Sequence, residues 1–159
     1  MTRTGIGYDS HRLAEGRRLI LGGVEIRHQQ GLAGHSDADV LTHAVIDALL
    51  GAAGLGDIGQ HFPDTDERFE DADSMALLGL VLAMVADLGL RPVNVDCTVV
   101  IEQPKVAPHR ERIRLRLATA LGLAPGDVNV KATTGEGIGF VGRGEGVAAI
   151  AVATLEPLA

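Results

Sequence analysis

Val147-Ala-Ala-Ile-Ala-Val-Ala-Thr-Leu155 is apolar on both of the faces that a strand presents. Successive side chains of a strand point to opposite sides, so Val147, Ala149 and Ala151 line one face while Ala148, Ile150 and Val152 line the other. In a short chain such a strand must be covered twice, by helices on one face and by further helices or other subunits on the second, with subunits the favoured cover.

The neighbouring segments supply the other layers. Val93, Val95, Cys97, Val99 and Ile101 alternate with Asn94, Asp96 and Thr98, the period of a strand. Val128 to Thr133 reads as another strand, as do Arg3 to Tyr8, Arg18 to Leu21 and Val24 to Ile26, the last two forming a hairpin about Gly22-Gly23 and leading into a polar loop. Val40, Leu41, Ala44, Val45, Ala48 and Leu49 recur at helical spacing, which predicts a helix from about Ala38 to Ala53 with Ser36 and Asp39 as its capping box. Ser74 to Leu88 is apolar on nearly every face and reads as a helix buried by sheet and neighbour together. Pro108 opens an Arg-rich third helix that packs Ile113, Leu117 and Leu121 and stops at Gly122. Between the first two helices, Gly54 to Asp73 lacks periodicity and is longer than ordinary connections, a mark of functional loops.

No composition shift, repeat or linker divides residues 1–159, so a single domain is expected. With 46% hydrophobic but only 3% aromatic residues, small aliphatic side chains must fill its core. A net charge of -7 argues against a general nucleic-acid binder, which needs cations along a phosphate backbone. The lone Cys97 has no disulfide partner, no membrane-length apolar run occurs, and the N-terminus lacks a signal pattern. These features lead to the expectation of a cytoplasmic, soluble protein.

Several residues have the chemistry of a site, though each also has an ordinary explanation. Asp9 and His11, two apart at the end of a strand, point the same way; with His43 they make a three-ligand zinc set with an open fourth position, while Asp9 and His11 alone also suit a surface hydrogen bond. His35 and Ser36, just before a helix, suit phosphate oxygens, and Ser36 equally suits a plain cap. Asp39 and Asp47 flank His43 at four-residue spacing, either orienting the imidazole or lying on a solvated face. Lys131-Ala-Thr-Thr-Gly-Glu136 runs from a strand into a turn where hydroxyls, amides and a carboxylate can hold a diphosphate and magnesium; it also reads as a common polar turn.

Joint order adds more than any one motif. Gly7-Tyr-Asp-Ser-His-Arg12, Ala33-Gly-His-Ser-Asp-Ala-Asp39, Gly54-Leu-Gly-Asp-Ile-Gly59, Phe62-Pro-Asp-Thr-Asp66, Pro104-Lys105, Asn129-Val-Lys-Ala-Thr-Thr134 and Gly139-Phe-Val-Gly-Arg-Gly-Glu-Gly146 span nearly the whole chain. In that order they resemble the successive motifs of the 2-C-methyl-D-erythritol 2,4-cyclodiphosphate synthase family. The resemblance implies an α/β (α+β) subunit with a single mixed sheet, helices on one face, and sheets facing inward in a homotrimer with active sites between subunits. It implies zinc, or another divalent transition metal, at Asp9, His11 and His43, and magnesium or manganese at Glu136 with the substrate diphosphate. His35 and Thr134 match positions credited with transition-state stabilisation.

For the substrate, Ser36, Asp57, Ile58, Gly59, Phe62, Pro63, Asp64, Thr65 and Asp66 match the side that holds the methylerythritol phosphate. Ile101, Glu102, Gln103, Pro104, Lys105, Val106 and Ala107, with Thr133, Thr134 and Gly135, match the cytidine and diphosphate pocket of the neighbouring subunit. Phe140 and Arg143 fall on further contact positions. Gly135 and Gly137 depart from the pattern, standing where many relatives carry Thr and Lys. The implied reaction is cyclisation of a cytidine-diphosphate sugar alcohol with release of CMP, in the non-mevalonate route to isoprenoids, with no nucleic-acid or membrane partner.

Overall fold

The computed structural model describes residues 1–159. Five strands form the main sheet, in the spatial order β4 (Gln30–Ala33), β1 (Arg3–Glu15), β7 (Gly146–Pro157), β5 (Leu90–Val100) and β6 (Val128–Thr133). Only β5 and β6 run parallel; every other pairing is antiparallel, so the sheet is mixed. A separate two-stranded ribbon, β2 (Leu19–Leu21) with β3 (Val24–Ile26), turns at Gly22-Gly23 as expected, both glycines having positive φ.

The helices α1 (Val40–Ala53), α3 (Ser74–Asp87) and α4 (Arg110–Leu121) share one buried core with the sheet. Val147, Ala149, Ala151, Ala153 and Leu155 of β7 are buried on that side. On the other side Ile150 is 40% and Val152 37% exposed, and their partners across the register, Tyr8 and Ile6, are 56% and 70% exposed. The doubly apolar strand is therefore covered by its own chain on one face alone.

The approach of α1 to β1 rests on two glycines. A Cβ at Gly5 would lie 2.1 Å from the Ala48 carbonyl oxygen and one at Gly7 1.9 Å from that of Ala44, distances that no side chain tolerates. Small residues on the helix and none on the strand bring the two backbones together.

Several elements differ from their sequence-based expectations. β1 continues past Tyr8 to Glu15 because it pairs with β7 as far as Arg12 and with β4 from Arg12 to Glu15. β4, read as polar loop, exists only through that pairing. α1 starts at Val40 rather than Ala38, since Ala38 has φ +56° and cannot join a right-handed helix. The expected capping box is absent: Asp39 is the N-cap, accepting from the Thr42 N–H at 3.0 Å, while Ser36 Oγ accepts from the Ala38 N–H. Within the long loop, a one-turn helix α2 (Ile58–His61) and a 3-10 turn (Glu67–Phe69) are too short to show a period. α3 is buried along one stripe only, leaving Leu80 51% exposed. Ahead of α4, Pro108 sits in a 3-10 turn, and Gly122 ends the helix in the left-handed conformation as expected.

Candidate metal centre

Asp9 and His11 lie in the middle of β1, not at its end, on the face that also carries Gly5 and Gly7. The alternation of the strand puts both side chains toward α1, and the Gly7–Ala44 contact brings His43, one residue before Ala44, against them. Asp9 Oδ2 is 2.8 Å from His11 Nε2 and 3.0 Å from His43 Nδ1, and the two imidazole nitrogens are 3.3 Å apart.

Surrounding groups determine which nitrogens carry protons. His11 Nδ1 meets the Ala33 carbonyl at 3.1 Å, and a carbonyl only accepts, so Nδ1 carries the proton and Nε2 the lone pair. His43 Nε2 meets Ser74 Oγ at 2.7 Å; the Ser74 hydroxyl is donated to Asp37 Oδ1, so it is Nε2–H of His43 that donates to Ser74 and Nδ1 that is free. Ser36 Oγ lies 3.2 Å from the same Nε2. Two nitrogen lone pairs and a carboxylate oxygen thus converge, an arrangement of acceptors that asks for a cation between them. No other group of three His, Cys, Asp or Glu residues in the chain converges in this way.

When no cation is bound, a proton serves in its place. Burial works to raise the Asp9 pKa, but hydrogen bonds and charge from His11 and His43 outweigh it and hold the carboxyl down to about 2. Burial works to lower His11, but the hydrogen bond and charge of Asp9, the Ala33 carbonyl and the charge of Asp37 together outweigh it, so His11 titrates above its ordinary value.

Neither Asp39 nor Asp47 orients His43. Asp39 is fully buried and accepts from the N–H groups of Gly22, Gly23 and Thr42 and from the Thr42 hydroxyl, tying the ribbon to α1. Asp47 accepts from the Ile58 N–H at 2.8 Å and so anchors α2. The supporting acid is Asp37, which accepts from both the N–H and the hydroxyl of Ser74. Sequence reasoning missed it because Ser74 and His43 are 31 positions apart and on different helices.

The trio opens onto a cavity of about 410 Å³, whose wall includes His35, Ser36, Ile58, Gly59, Phe62, Pro63 and Asp64. His35 Nε2 donates to the Asp66 carbonyl at 3.0 Å, which pins the ring in the wall. Asp57, Thr65 and Asp66 do not line this cavity; Asp57 caps α2, Asp66 caps the 3-10 turn and pairs with Arg68, and Thr65 is exposed between them. Phe69 and Leu77 do line it, neither of them anticipated. Leu77 reads as ordinary helix core, and Phe69 is placed by edge-to-face packing on Phe62 with centroids 5.2 Å apart.

A second cavity, of about 160 Å³, gathers Ile101, Pro104, Lys105, Val106, Ala107, Thr133 and Thr134, together with Ala132 and Arg110, which had not been singled out. Gln103 is exposed and lies outside its wall. The Glu102 carboxylate is turned inward, accepting from the Gly135 N–H. Glu136 is exposed at φ +56°, its N–H donating to Thr134 Oγ1 at 3.1 Å, and it belongs to no converging group of three His, Cys, Asp or Glu residues. Gly135 leaves no room for a side chain, since a Cβ there would lie 2.6 Å from the Gly142 nitrogen. Phe140 borders a third recess beside Ser10, His11 and Arg12, and Arg143 pairs with Glu145 at 3.2 Å. The first two cavities share no wall residue.

A mixed α+β fold with an Asp/His/His donor set lining a cavity of polar and apolar wall has the features of a divalent-metal protein acting on a small ligand. Residues 2–156 match the model of the YgbB family, and the chain belongs to that family. It is 62% identical over 154 residues to the 2-C-methyl-D-erythritol 2,4-cyclodiphosphate synthase of Salinibacter ruber, covering 97% of this chain and 98% of the relative. It is 63% identical over 151 residues to a bifunctional IspD/IspF enzyme of Anaeromyxobacter sp., covering 95% of this chain but only 39% of that longer protein. Among solved structures, a 2C-methyl-D-erythritol-2,4-cyclodiphosphate synthase in a CDP-bound form superposes with a TM-score of 0.90 at 38% identity, covering 97% of this chain and all of the other. The bifunctional IspDF of Campylobacter jejuni superposes with a TM-score of 0.96 at 43% identity, covering 99% of this chain and 43% of that one. No helix is long and apolar enough to cross a membrane.

Proposed function

We propose that this chain is a cyclising phosphorus–oxygen lyase that converts 4-diphosphocytidyl-2-C-methyl-D-erythritol 2-phosphate to 2-C-methyl-D-erythritol 2,4-cyclodiphosphate and CMP. The observation that carries the reading is the convergence of Asp9, His11 and His43 at the mouth of the 410 Å³ cavity. An oxygen of the 2-phosphate bonds to the β-phosphorus while the bond from that phosphorus to the α–β bridging oxygen breaks, and CMP leaves with the electron pair. Atoms balance without a protein nucleophile, so the work of the chain is to align a flexible anion and to neutralise its charge.

Asp9, His11 and His43 would hold zinc or a similar ion and Glu136 would be the carboxylate for magnesium or manganese, and such ions would supply Lewis-acid neutralisation of phosphate charge. Ser36 stands beside the trio and offers a hydroxyl donor to phosphate oxygens, and His35, with Nε2–H held by the Asp66 carbonyl, offers a second ring donor through Nδ1 in its doubly protonated form. Phe62 and Phe69 wall the cavity with apolar surface that suits the methylerythritol carbons. Ile101 to Ala107 with Thr133 and Thr134 form the receptor for the cytidine end, and Thr134 faces the reacting diphosphate.

The working site is assembled between protomers, a reading supported by the absence of any wall residue common to the two cavities within one chain. The apolar face of Ile6, Tyr8, Ile150 and Val152 supports this, because three sheets packed inward about an axis bury that face. The nearly full-length synthase relative and the CDP-bound neighbour support the substrate class.

Phosphorus NMR of the protein with substrate and divalent metal tests the reading: a cyclic diphosphate and CMP are expected, whereas linear phosphates alone would instead indicate hydrolysis by a metal-bound water. Light scattering of the wild type should report three subunits, and Ile150→Asp should yield monomers that keep zinc and lose turnover. A monomeric wild type with full activity would sink the shared site.

A further inference from the structure

Residues 16–18 lie outside every motif assigned to the chemistry, yet the Arg17 side chain grips the segment that supports it. Its Nε donates to the Leu32 carbonyl at 3.0 Å, and its Nη2 donates to the carbonyls of Gly34 at 3.2 Å and Ser36 at 3.1 Å. The two carbonyls between them have other partners. The Ala33 carbonyl accepts from His11 Nδ1 at 3.1 Å, and the His35 carbonyl accepts from the Asp71 N–H at 2.8 Å. The same short run of peptide planes therefore contacts both Arg17 and His11.

Gly31 makes the approach possible, because a Cβ there would lie 2.1 Å from the Arg17 carbonyl oxygen. The Leu32 N–H also donates to the Arg18 carbonyl at 3.3 Å. β4 is an edge strand of the main sheet, and the Arg17-Arg18 segment occupies its outer side where a further strand would pair.

We propose that Arg17 is a positioning residue for the metal centre. Its guanidinium orients the peptide planes from Leu32 to Ser36, so that the Ala33 carbonyl holds His11 in the Nδ1–H form and the Ser36 hydroxyl stays against His43. A lysine cannot substitute, since a single ammonium group does not span three carbonyls as a planar fork does. The inference rests on the metal-binding reading of the trio and is independent of which reaction the site performs.

Arg17→Met and Arg17→Lys, with Arg18→Met as control, test it. Arg18 pairs through its side chain with exposed Glu25 at 3.0 Å and should be neutral. In the metal-free protein, at a pH above that at which His11 loses its second proton, nitrogen NMR is expected to show His11 as the Nδ1–H tautomer in the wild type and as a mixture in both Arg17 variants. Zinc affinity by chelator competition should fall by about 10–100-fold in both, the range for loss of an outer partner, with the fold intact by circular dichroism. Should Arg17→Met fail to fold, Arg17→Lys gives the same comparison. A lowered melting temperature with unchanged tautomer and zinc affinity would overturn the proposal and leave Arg17 a purely structural brace. A wild type that binds no zinc would defeat the metal reading instead, and the His11 tautomer would still decide the role of Arg17.

Discussion

The two cavities of this chain differ in how far one subunit completes them. Around Asp9, His11 and His43 every polar group behind the site has a partner: Ala33, Ser36, Ser74 and Asp37 fix the two imidazoles, and Asp39 and Asp47 anchor the elements beside them. Around Thr133, Thr134 and Glu136 the hydroxyls and the carboxylate stand at an exposed turn, braced only by Glu102 and the turn's own hydrogen bond. The difference teaches that the chain preorganises the half whose three donors converge in partly buried surroundings. It leaves open the half whose hydroxyls and carboxylate stand in solvent. Preorganisation goes where desolvation is most costly.

The comparison breaks most severely at the metal ligands. His43→Ala removes one donor and leaves Ser74 and Ser36 facing a space, so zinc affinity should fall well beyond the roughly 10–100-fold expected for an outer partner. Turnover should vanish while the second cavity still takes cytidine nucleotides, as titration calorimetry will show. Retained zinc binding would remove His43 from the centre.

Gly7→Ala sharpens the same contrast without touching a ligand. A methyl group 1.9 Å from the Ala44 carbonyl must push α1 off β1 and carry His43 away from Asp9. Overpacking of this kind costs about 1–3 kcal/mol, so a lowered melting temperature and weakened zinc binding should appear together. A stability loss with unaltered zinc affinity would show that the helix–strand approach does not set the ligand geometry.

The smallest effect concerns pH in the metal-free protein. Asp9 is held down to about 2 from an ordinary 3.8, so its contribution to stability is present above 3.8 and is lost as pH falls toward 2. His11 is raised above 6.5, so its contribution is complete below 6.5 and is lost as pH rises through the folded value. Melting temperatures in chelator from about pH 3 to about pH 8 should therefore pass through a broad maximum between these limits. Asp9→Asn should flatten both flanks. A wild-type profile without the upper flank would contradict the Asp9–His11 pairing.

Local chemistry already determined much of this protein. The period-two runs of β5 and β7, the left-handed stop at Gly122, the turn at Gly22-Gly23 and the apolar spacing of α1 depend on neighbours in the chain, and they formed where local pattern placed them. Asp9, His11 and His43 were legible as a donor set because zinc imposes residue types and ordered motifs accompanied them. Tertiary structure alone decided that β1 runs on to Glu15, that Gln30–Ala33 is a strand, and that Asp39 rather than Ser36 caps α1. It also decided that Asp37 and Ser74, not Asp47, stand behind His43. Apart from the cap, a local bond to Thr42 that follows from the left-handed φ of Ala38, each of these depends on a hydrogen bond between segments apart in sequence, and the energy of such a bond exists only after the chain has closed on itself.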